Sequence, residues 1–298
     1  MSMNGPTLVV DGLAKRYGPV RALAGVSFSV DAGEVFGYLG PNGAGKTTTL
    51  RIILGLVHAS AGRVTVFGGA ADFRTRREIG YLPGEMRLYG EMTGRRLLDY
   101  FAGFRNAGPP ALRAELLAAL GLGPSDLARR VKFLSHGTRQ KIGLVIAMQN
   151  DPRLLLLDEP TTGLDPLVQK AFRDLVLRFA ARGRAVFFSS HVLSEVEAVC
   201  TRVAILRAGE LVAVESVDDL RTRMLRRLEV RFRADVPPDL GTVEGVARSE
   251  IEGRNATLWV RGDVNPVLRR VAREEVERFV FPEAELEDIF LAYYKGGR

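Results

Sequence analysis

Eight consecutive residues, Gly40-Pro41-Asn42-Gly43-Ala44-Gly45-Lys46-Thr47, have the types and spacing to hold a polyphosphate. They fit the pattern G-x-x-x-x-G-K-[ST]. Glycines let backbone N–H groups come close to phosphate oxygens, where Cβ atoms would block the approach. Lys46 can reach the β/γ-phosphates, and Thr47 can offer its hydroxyl to Mg2+. A chance glycine-rich turn would match some of these positions, so the flanks decide. Val35-Phe36-Gly37-Tyr38-Leu39 reads as a buried strand, and Thr48 to Leu54 as a helix ending at Gly55. Strand, glycine loop and helix together aim a helix N-terminus at an anion.

A second group of residues could complete that chemistry. Arg153-Leu154-Leu155-Leu156-Leu157-Asp158-Glu159-Pro160 reads as a buried strand ending in two carboxylates. Charge at a buried strand end needs compensation, and Mg2+ would supply it. Asp158 can hold the ion, directly or through water, and Glu159 can polarise an attacking water. Ser135, in Leu134-Ser135-His136-Gly137, is a good N-cap. It marks either an ordinary capped helix or a second anion site. His191 follows Ser189-Ser190 at a strand end, placed either to contact a γ-phosphate or to pack. Tyr17 is either a platform for a purine base or a packed aromatic.

These residues need elements to hold them. Residues 7–10, 24–30 and 62–67 read as strands. From about 85 to 150 the pattern turns helical. Thr93 can cap a helix through Leu97, Leu98, Tyr100 and Phe101, and Pro109-Pro110 can start another through Leu112, Leu116, Leu117 and Leu120. Residues 161–166 form a turn into a helix reaching about Arg182. Residues 185–190 read as another buried strand, and 203–206 with 210–214 as a hairpin around Ala208-Gly209. From about 223 arginine becomes dense. Residues 256–260 then read as a strand, 267–271 as a helix, 276–281 as extended chain and 284–291 as an amphipathic helix. The expected organisation is a large α/β domain over 1–222, with a helical subdomain at about 85–150, and a small α+β accessory domain over 223–298.

The chain has 298 residues, enough for a sizeable core, and a formal net charge of +7. The charge suggests either a polyanionic partner or a solvated basic surface. The single cysteine, Cys200, excludes an internal disulfide framework and suits a reducing cytoplasm. No signal pattern opens the sequence, and no apolar run reaches about 18 residues, so any membrane role is expected to come through a partner.

In order, Tyr17, the phosphate loop, the helical insertion, Leu134-Ser135-His136-Gly137, Asp158-Glu159-Pro160, Gly163-Leu164-Asp165 and His191 strongly resemble the nucleotide-binding subunit of ATP-binding cassette (ABC) transporters. The resemblance covers about residues 7–222. It implies a P-loop NTPase fold with an antiparallel β subdomain and a helical insertion. It also implies roles. Tyr17 would stack the adenine. Gly40, Pro41, Asn42, Gly43, Ala44, Gly45, Lys46, Thr47 and Thr48 would cradle the phosphates of ATP, and Thr47 and Asp158 would hold Mg2+. Glu159 would be the general base, and His191 would contact the γ-phosphate. Asp165 would lie at the interface of two ATPase subunits, and Ser135 and Gly137 would bind ATP held by the opposite subunit. The implied partners are a second copy of the chain and integral membrane permease subunits. The implied location is peripheral, on the cytoplasmic face of the cell membrane, with no specific nucleic acid.

Two motifs depart from the family. Its signature usually reads Leu-Ser-Gly-Gly-Gln, whereas His136 and Thr138 stand here for the first Gly and the Gln. The family also usually has Gln after an aromatic-Leu/Val-Pro run, but Tyr81-Leu82-Pro83 is followed by Gly84 and Glu85. Either Glu85 turns inward to Mg2+, or it is a surface acid and the metal keeps a further water. The tail from Pro282 to Leu291 resembles ATPase subunits of the ABC-2 type, including drug-resistance exporters, which favours an exporter over an importer. The reading from another class is a non-transport ABC ATPase acting on nucleic acid or the ribosome. Such relatives usually carry paired cassettes, a long coiled coil or zinc-binding cysteines, and this chain has none of them.

Overall fold

The structure, a computed structural model, describes residues 5–70, 72–104, 109–223 and 225–282. The amphipathic segment expected at 284–291 lies outside the described residues. The chain divides into two compact units, Met1–His191 with Glu195–Val214, and Val192–Ser194 with Glu215–Arg298.

In chain order the first elements are β1 (Leu8–Tyr17), β2 (Val20–Val30), β3 (Val35–Leu39), α1 (Lys46–Ile53), β4 (Ala61–Val66), β5 (Gly69–Ala70), α2 (Phe73–Arg76) and β6 (Ile79–Leu82). The helices α3 (Gly94–Ala102), α4 (Arg113–Ala119), α5 (Pro124–Ala128) and α6 (His136–Met148) follow. Then come β7 (Leu154–Asp158), α7 (Pro166–Ala181), β8 (Ala185–Ser190), α8 (Leu193–Val199), β9 (Arg202–Arg207) and β10 (Glu210–Ser216).

The main sheet has the order β10-β9-β3-β8-β7-β6. From β9 to β6 its neighbouring strands run parallel. Every residue of β3, β7 and β8 is buried. That explains the unbroken apolar runs, since a parallel sheet is covered on both faces. Register then places the chemistry: Leu39 pairs with Ser190, and Asp158 with Ser189. The phosphate loop, Asp158 and His191 therefore leave the sheet at the same carboxyl edge, where open α/β sheets bind ligands. Beneath that edge Phe28 stacks on Phe36 at 5.2 Å, and Tyr38 meets Phe187 at 5.0 Å. The Tyr38 hydroxyl pairs with Thr49 Oγ1 at 3.1 Å, and burial pushes its pKa up.

The second sheet, β2-β1-β4-β5, is antiparallel. Its strands β1 and β2 are longer than the sequence reading gave, and β1 continues through Tyr17. Register shifts between Val10 and Leu13, Leu13 and Ala14, and Lys15 and Arg16 break the alternation that marks a strand. Tyr17 therefore sits within a strand, paired with Val20 beside the hairpin turn.

In the helical segment Thr93 caps α3, accepting from Arg96 N at 3.3 Å, and Leu97 and Leu98 are buried. Helix α4 begins at Arg113, a few residues beyond Pro109-Pro110. Gln149, just past α6, donates to Leu98 O at 3.0 Å and accepts from Arg113 Nε at 2.8 Å. These bonds tie α3, α4 and α6 into one body.

The second unit contains α9 (Val217–Arg223), β11 (Leu225–Phe232), β12 (Val246–Glu252), β13 (Asn255–Arg261), α10 (Asn265–Val271) and β14 (Val276–Val280). Its four-stranded sheet, β12-β13-β11-β14, is antiparallel. Leu228, Val230, Phe232, Leu258 and Val260 form its core with Val267 and Val271 of α10. The main stretch of this unit begins at Glu215, and Val217 and Leu220 of α9 are buried.

Candidate nucleotide site

The loop after β3 closes on itself before entering α1. Gly40 N donates to Ser190 O at 3.2 Å, and Ala44 N donates to Pro41 O at 3.2 Å. Gly45 caps α1 with φ of 111° and no side-chain hydrogen bond. The first N–H groups of α1 have no partner within the helix and stay available to an anion. A Cβ on Gly45 would stand 2.7 Å from Ala22 O, and one on Gly40 would stand 2.4 Å from Leu206 O. Packing against β2 and β9 therefore demands glycine here, as well as backbone conformation.

A cavity of about 620 Å3 opens over this loop. Residues Pro41 to Thr48 line it without a break, joined by Asp158, Glu159 and His191. Lys46 is 6% exposed; its Nζ donates to Gly40 O at 2.6 Å and Pro41 O at 3.3 Å. The ammonium is thus held over the loop with Glu159 Oε1 at 3.2 Å. That oxygen is buried and has no partner in hydrogen-bond geometry. The other, Oε2, lies 2.7 Å from His191 Nδ1. Glu159 itself has φ of 50°, a left-handed conformation that costs a non-glycine residue and recurs at functional sites.

Asp158 is 2% exposed. Ser189 Oγ donates to its Oδ1 at 2.6 Å, and Thr47 Oγ1 donates to its Oδ2 at 2.9 Å. Both donors are neutral, and among the described residues no cationic side chain pairs with this buried carboxylate. A carboxylate and a hydroxyl are hard oxygen donors of the kind Mg2+ takes. Among the described residues no group of three His, Cys, Asp or Glu could hold a metal ion. The remaining ligands of a Mg2+ at this point would be phosphate and water, which is its usual habit. The residues present fit the ion.

Tyr81, Gly84 and Glu85 also line the cavity. Burial first, and then the Asp158 charge, push the Tyr81 pKa up to about 12. A Cβ on Gly84 would lie 3.5 Å from Asp158 Oδ2, so this backbone passes directly beside the carboxylate. Glu85 is exposed on the rim.

Other expected residues stand apart from the cavity. Tyr17, Ser135, Gly137 and Asp165 do not line it. Tyr17 is 44% exposed, with Lys15 Nζ 4.9 Å from its ring centre. Ser135 caps α6, accepting from Thr138 N at 3.1 Å. Asp165 caps α7, accepting from Val168 N at 3.0 Å. The two caps face a shared loop. A Cβ on Gly137 would stand 2.9 Å from Gly163 O, and one on Gly163 would stand 2.2 Å from His136 Cδ2. Gln140 Nε2 donates to Pro160 O at 3.0 Å. The start of α6 therefore packs on the loop that runs from Glu159 to Asp165. Ala22, Arg51 and Thr162 line the cavity without any signal in the sequence. Ser189 could have been suspected, because hydroxyls at the end of an apolar strand need a partner.

Residues 23–162 match the family model described as ABC transporter. The chain is 42% identical over 206 residues to an uncharacterized ABC transporter ATP-binding protein of Nostoc, covering 67% of this chain and 62% of the relative. It thus spans less than two thirds of that protein's length. It is 32% identical over 290 residues to the Nod factor export ATP-binding protein I of Burkholderia orbicola, covering 93% of each. A solved structure of the ATP-binding subunit of an ABC transporter aligns with a TM-score of 0.67 at 32% identity, covering 72% of this chain and 92% of that one. The chain belongs to the family of ABC transporter ATP-binding proteins.

Proposed function

We propose that this chain hydrolyses ATP to ADP and phosphate and so energises export through separate membrane permease subunits. The observation that carries the reading is the convergence of Lys46, Thr47, Asp158, Glu159 and His191 on one cavity at the carboxyl edge of the sheet. Export is favoured by the near full-length similarity to an export ATP-binding protein.

The chemistry follows from the side chains. The N–H groups of the loop and the start of α1 bind the phosphates, and Lys46 neutralises charge on the β/γ bridge. Thr47 and Asp158 would hold Mg2+, which when bound neutralises phosphate charge. Glu159 orients a water and takes its proton, using the buried oxygen that lacks a donor. His191, on the other oxygen, fixes the carboxylate and faces the γ-phosphate position. Glu85 is the residue at this rim able to add a second carboxylate to the metal site. Tyr17 takes the adenine from the hairpin edge.

A single copy leaves the assembly incomplete, because Ser135 and Gly137 lie outside their own cavity. In our reading they complete the cavity of a second copy, with Asp165 at the junction. ATP then favours the closed pair, and its hydrolysis lets the pair reopen.

No helix among the described residues is long and apolar enough to cross a membrane. A second cavity of about 650 Å3 is lined by Phe73, Arg76, Arg77, Phe101 and Phe104 among others. Phe73 is 65% and Phe104 58% exposed, with Tyr89 and Tyr100 also exposed. Such an aromatic patch marks a protein partner, here the permease at the cytoplasmic membrane face. Affinity capture of the tagged chain from gently solubilised membranes tests this reading. It should recover an integral membrane protein in stoichiometric amount. Recovery of the chain alone from both membrane and soluble fractions would contradict it.

A further inference from the structure

One carboxylate joins the two loops that carry Glu159 and His191. Glu195, on α8, accepts from Thr161 Oγ1 through Oε1 at 2.5 Å and from Ser190 Oγ through Oε2 at 2.6 Å. Thr161 lies just past Glu159, and Ser190 immediately precedes His191. Thr161 is 6% exposed and Ser190 fully buried, so neither hydroxyl has water as an easy alternative. A backbone bond from Glu159 N to Ser189 O at 3.1 Å closes the same ring of contacts from the other side.

Two facts make this more than packing. Glu195 is half-buried, yet among the described residues no cation pairs with it, so its charge rests on two neutral hydroxyls. Apolar groups of similar shape would serve stability at least as well. The residues it anchors also need holding: Glu159 is in a left-handed conformation that relaxes unless its surroundings fix it.

We propose that Glu195 is a positioning residue for ATP hydrolysis. By gripping Thr161 and Ser190 with its two oxygens, it sets the separation of Glu159 and His191 and aims the buried Glu159 oxygen into the cavity. This rests on the ATPase reading above. Glu195 does not line the cavity. Its loss should therefore change turnover and not nucleotide affinity.

The experiment is steady-state ATPase kinetics on Glu195→Ala, Glu195→Gln and His191→Ala, together with the double variant of Glu195→Ala and His191→Ala. Fluorescent-nucleotide binding and thermal unfolding are measured alongside. Glu195→Ala should lower kcat about 10- to 100-fold, as expected of a roughly 1 Å misplacement, and leave nucleotide Kd within about twofold. Glu195→Gln should recover part of the loss, because its amide can grip one hydroxyl as acceptor and the other as donor. In the His191→Ala background, Glu195→Ala should cost little more, since the alignment it serves is already gone. If Glu195→Ala does not fold, Thr161→Val and Ser190→Ala each remove one grip and should each lower kcat at constant Kd.

Wild-type turnover with kcat unchanged in these variants would overturn the assignment alone. So would losses that multiply in the double variant. Absence of ATP turnover by the wild type would overturn the ATPase reading and the assignment with it.

Discussion

Glu159 touches His191 with one carboxylate oxygen, at 2.7 Å, and keeps the other buried without a hydrogen-bond donor. Lys46 Nζ comes within 3.2 Å of that second oxygen but not in hydrogen-bond geometry. A buried acceptor without a donor is costly, and such exceptions call for an explanation. In the proposed mechanism a water that donates to this oxygen supplies one. The ion pair with Lys46 links the phosphate loop to the end of β7.

Glu159→Gln keeps the shape and the contact to His191 and removes the carboxylate to which we assign the role of base. Its kcat should fall about 10²- to 10⁴-fold, with ATP affinity retained. Steady-state kinetics paired with nucleotide binding checks this. Undiminished turnover would remove Glu159 from the role of base.

Gly45→Ala should weaken nucleotide binding by tenfold or more. The added Cβ meets Ala22 O at 2.7 Å and Leu23 Cδ2 at 2.8 Å, and φ of 111° disfavours any side chain. The backbone of β2 cannot yield cheaply, so stability should also fall, by about 1–3 kcal/mol. Titration with labelled ATP and thermal melting report the two effects separately.

Cys200 gives a pH signature. Burial, then the nearby Glu34 charge, push its thiol pKa well up. The folded chain keeps the proton where the unfolded chain loses it. Stability from this group is therefore complete below the unfolded cysteine value and declines as pH rises above about 8.5. Thermal midpoints taken from pH 7 to pH 10 should show a fall that is smaller in Cys200→Ala. In the native protein the thiol should resist alkylation at pH 8 and react once the chain is unfolded.

The aromatic patch yields a separable effect. Tyr100 meets Phe101 at 5.4 Å and Phe104 at 5.1 Å on the surface of the helical segment. Replacing Tyr100 and Phe104 by Ala should sharply reduce recovery of the membrane partner and leave ATP affinity within about twofold, because neither residue lines the nucleotide cavity. Quantitative co-purification measures the first, and nucleotide titration the second.

Much of this was legible in the sequence, for identifiable reasons. The parallel strands are buried on both faces, so Val35–Leu39, Leu154–Asp158 and Ala185–Ser190 stand out as apolar runs. The phosphate loop is dictated by close backbone contacts, which leave glycine as their mark. The caps Thr93 and Ser135 appear where expected. The exposed strands were harder. Strand β12 is almost wholly exposed at a sheet edge and offers no alternation to read. Bulges hid the length of β1 and hence the place of Tyr17. Glu195 escaped notice because Thr161, one of the two hydroxyls that it binds, comes from a distant segment.

The central claim is that each cavity is completed by Ser135 of a second copy. Mixing two inactive variants tests it most directly. Glu159→Gln spoils the base in its own cavity, and Ser135→Arg spoils the half-site offered to the partner. Each alone should be nearly inactive. A mixed pair retains one intact site, with Glu159 from one copy and Ser135 from the other. Random mixing makes about half the pairs mixed, so ATPase activity should return to roughly a quarter of the wild-type rate. If wild-type protein hydrolyses ATP but the mixture stays as inactive as its components, the shared active site is contradicted.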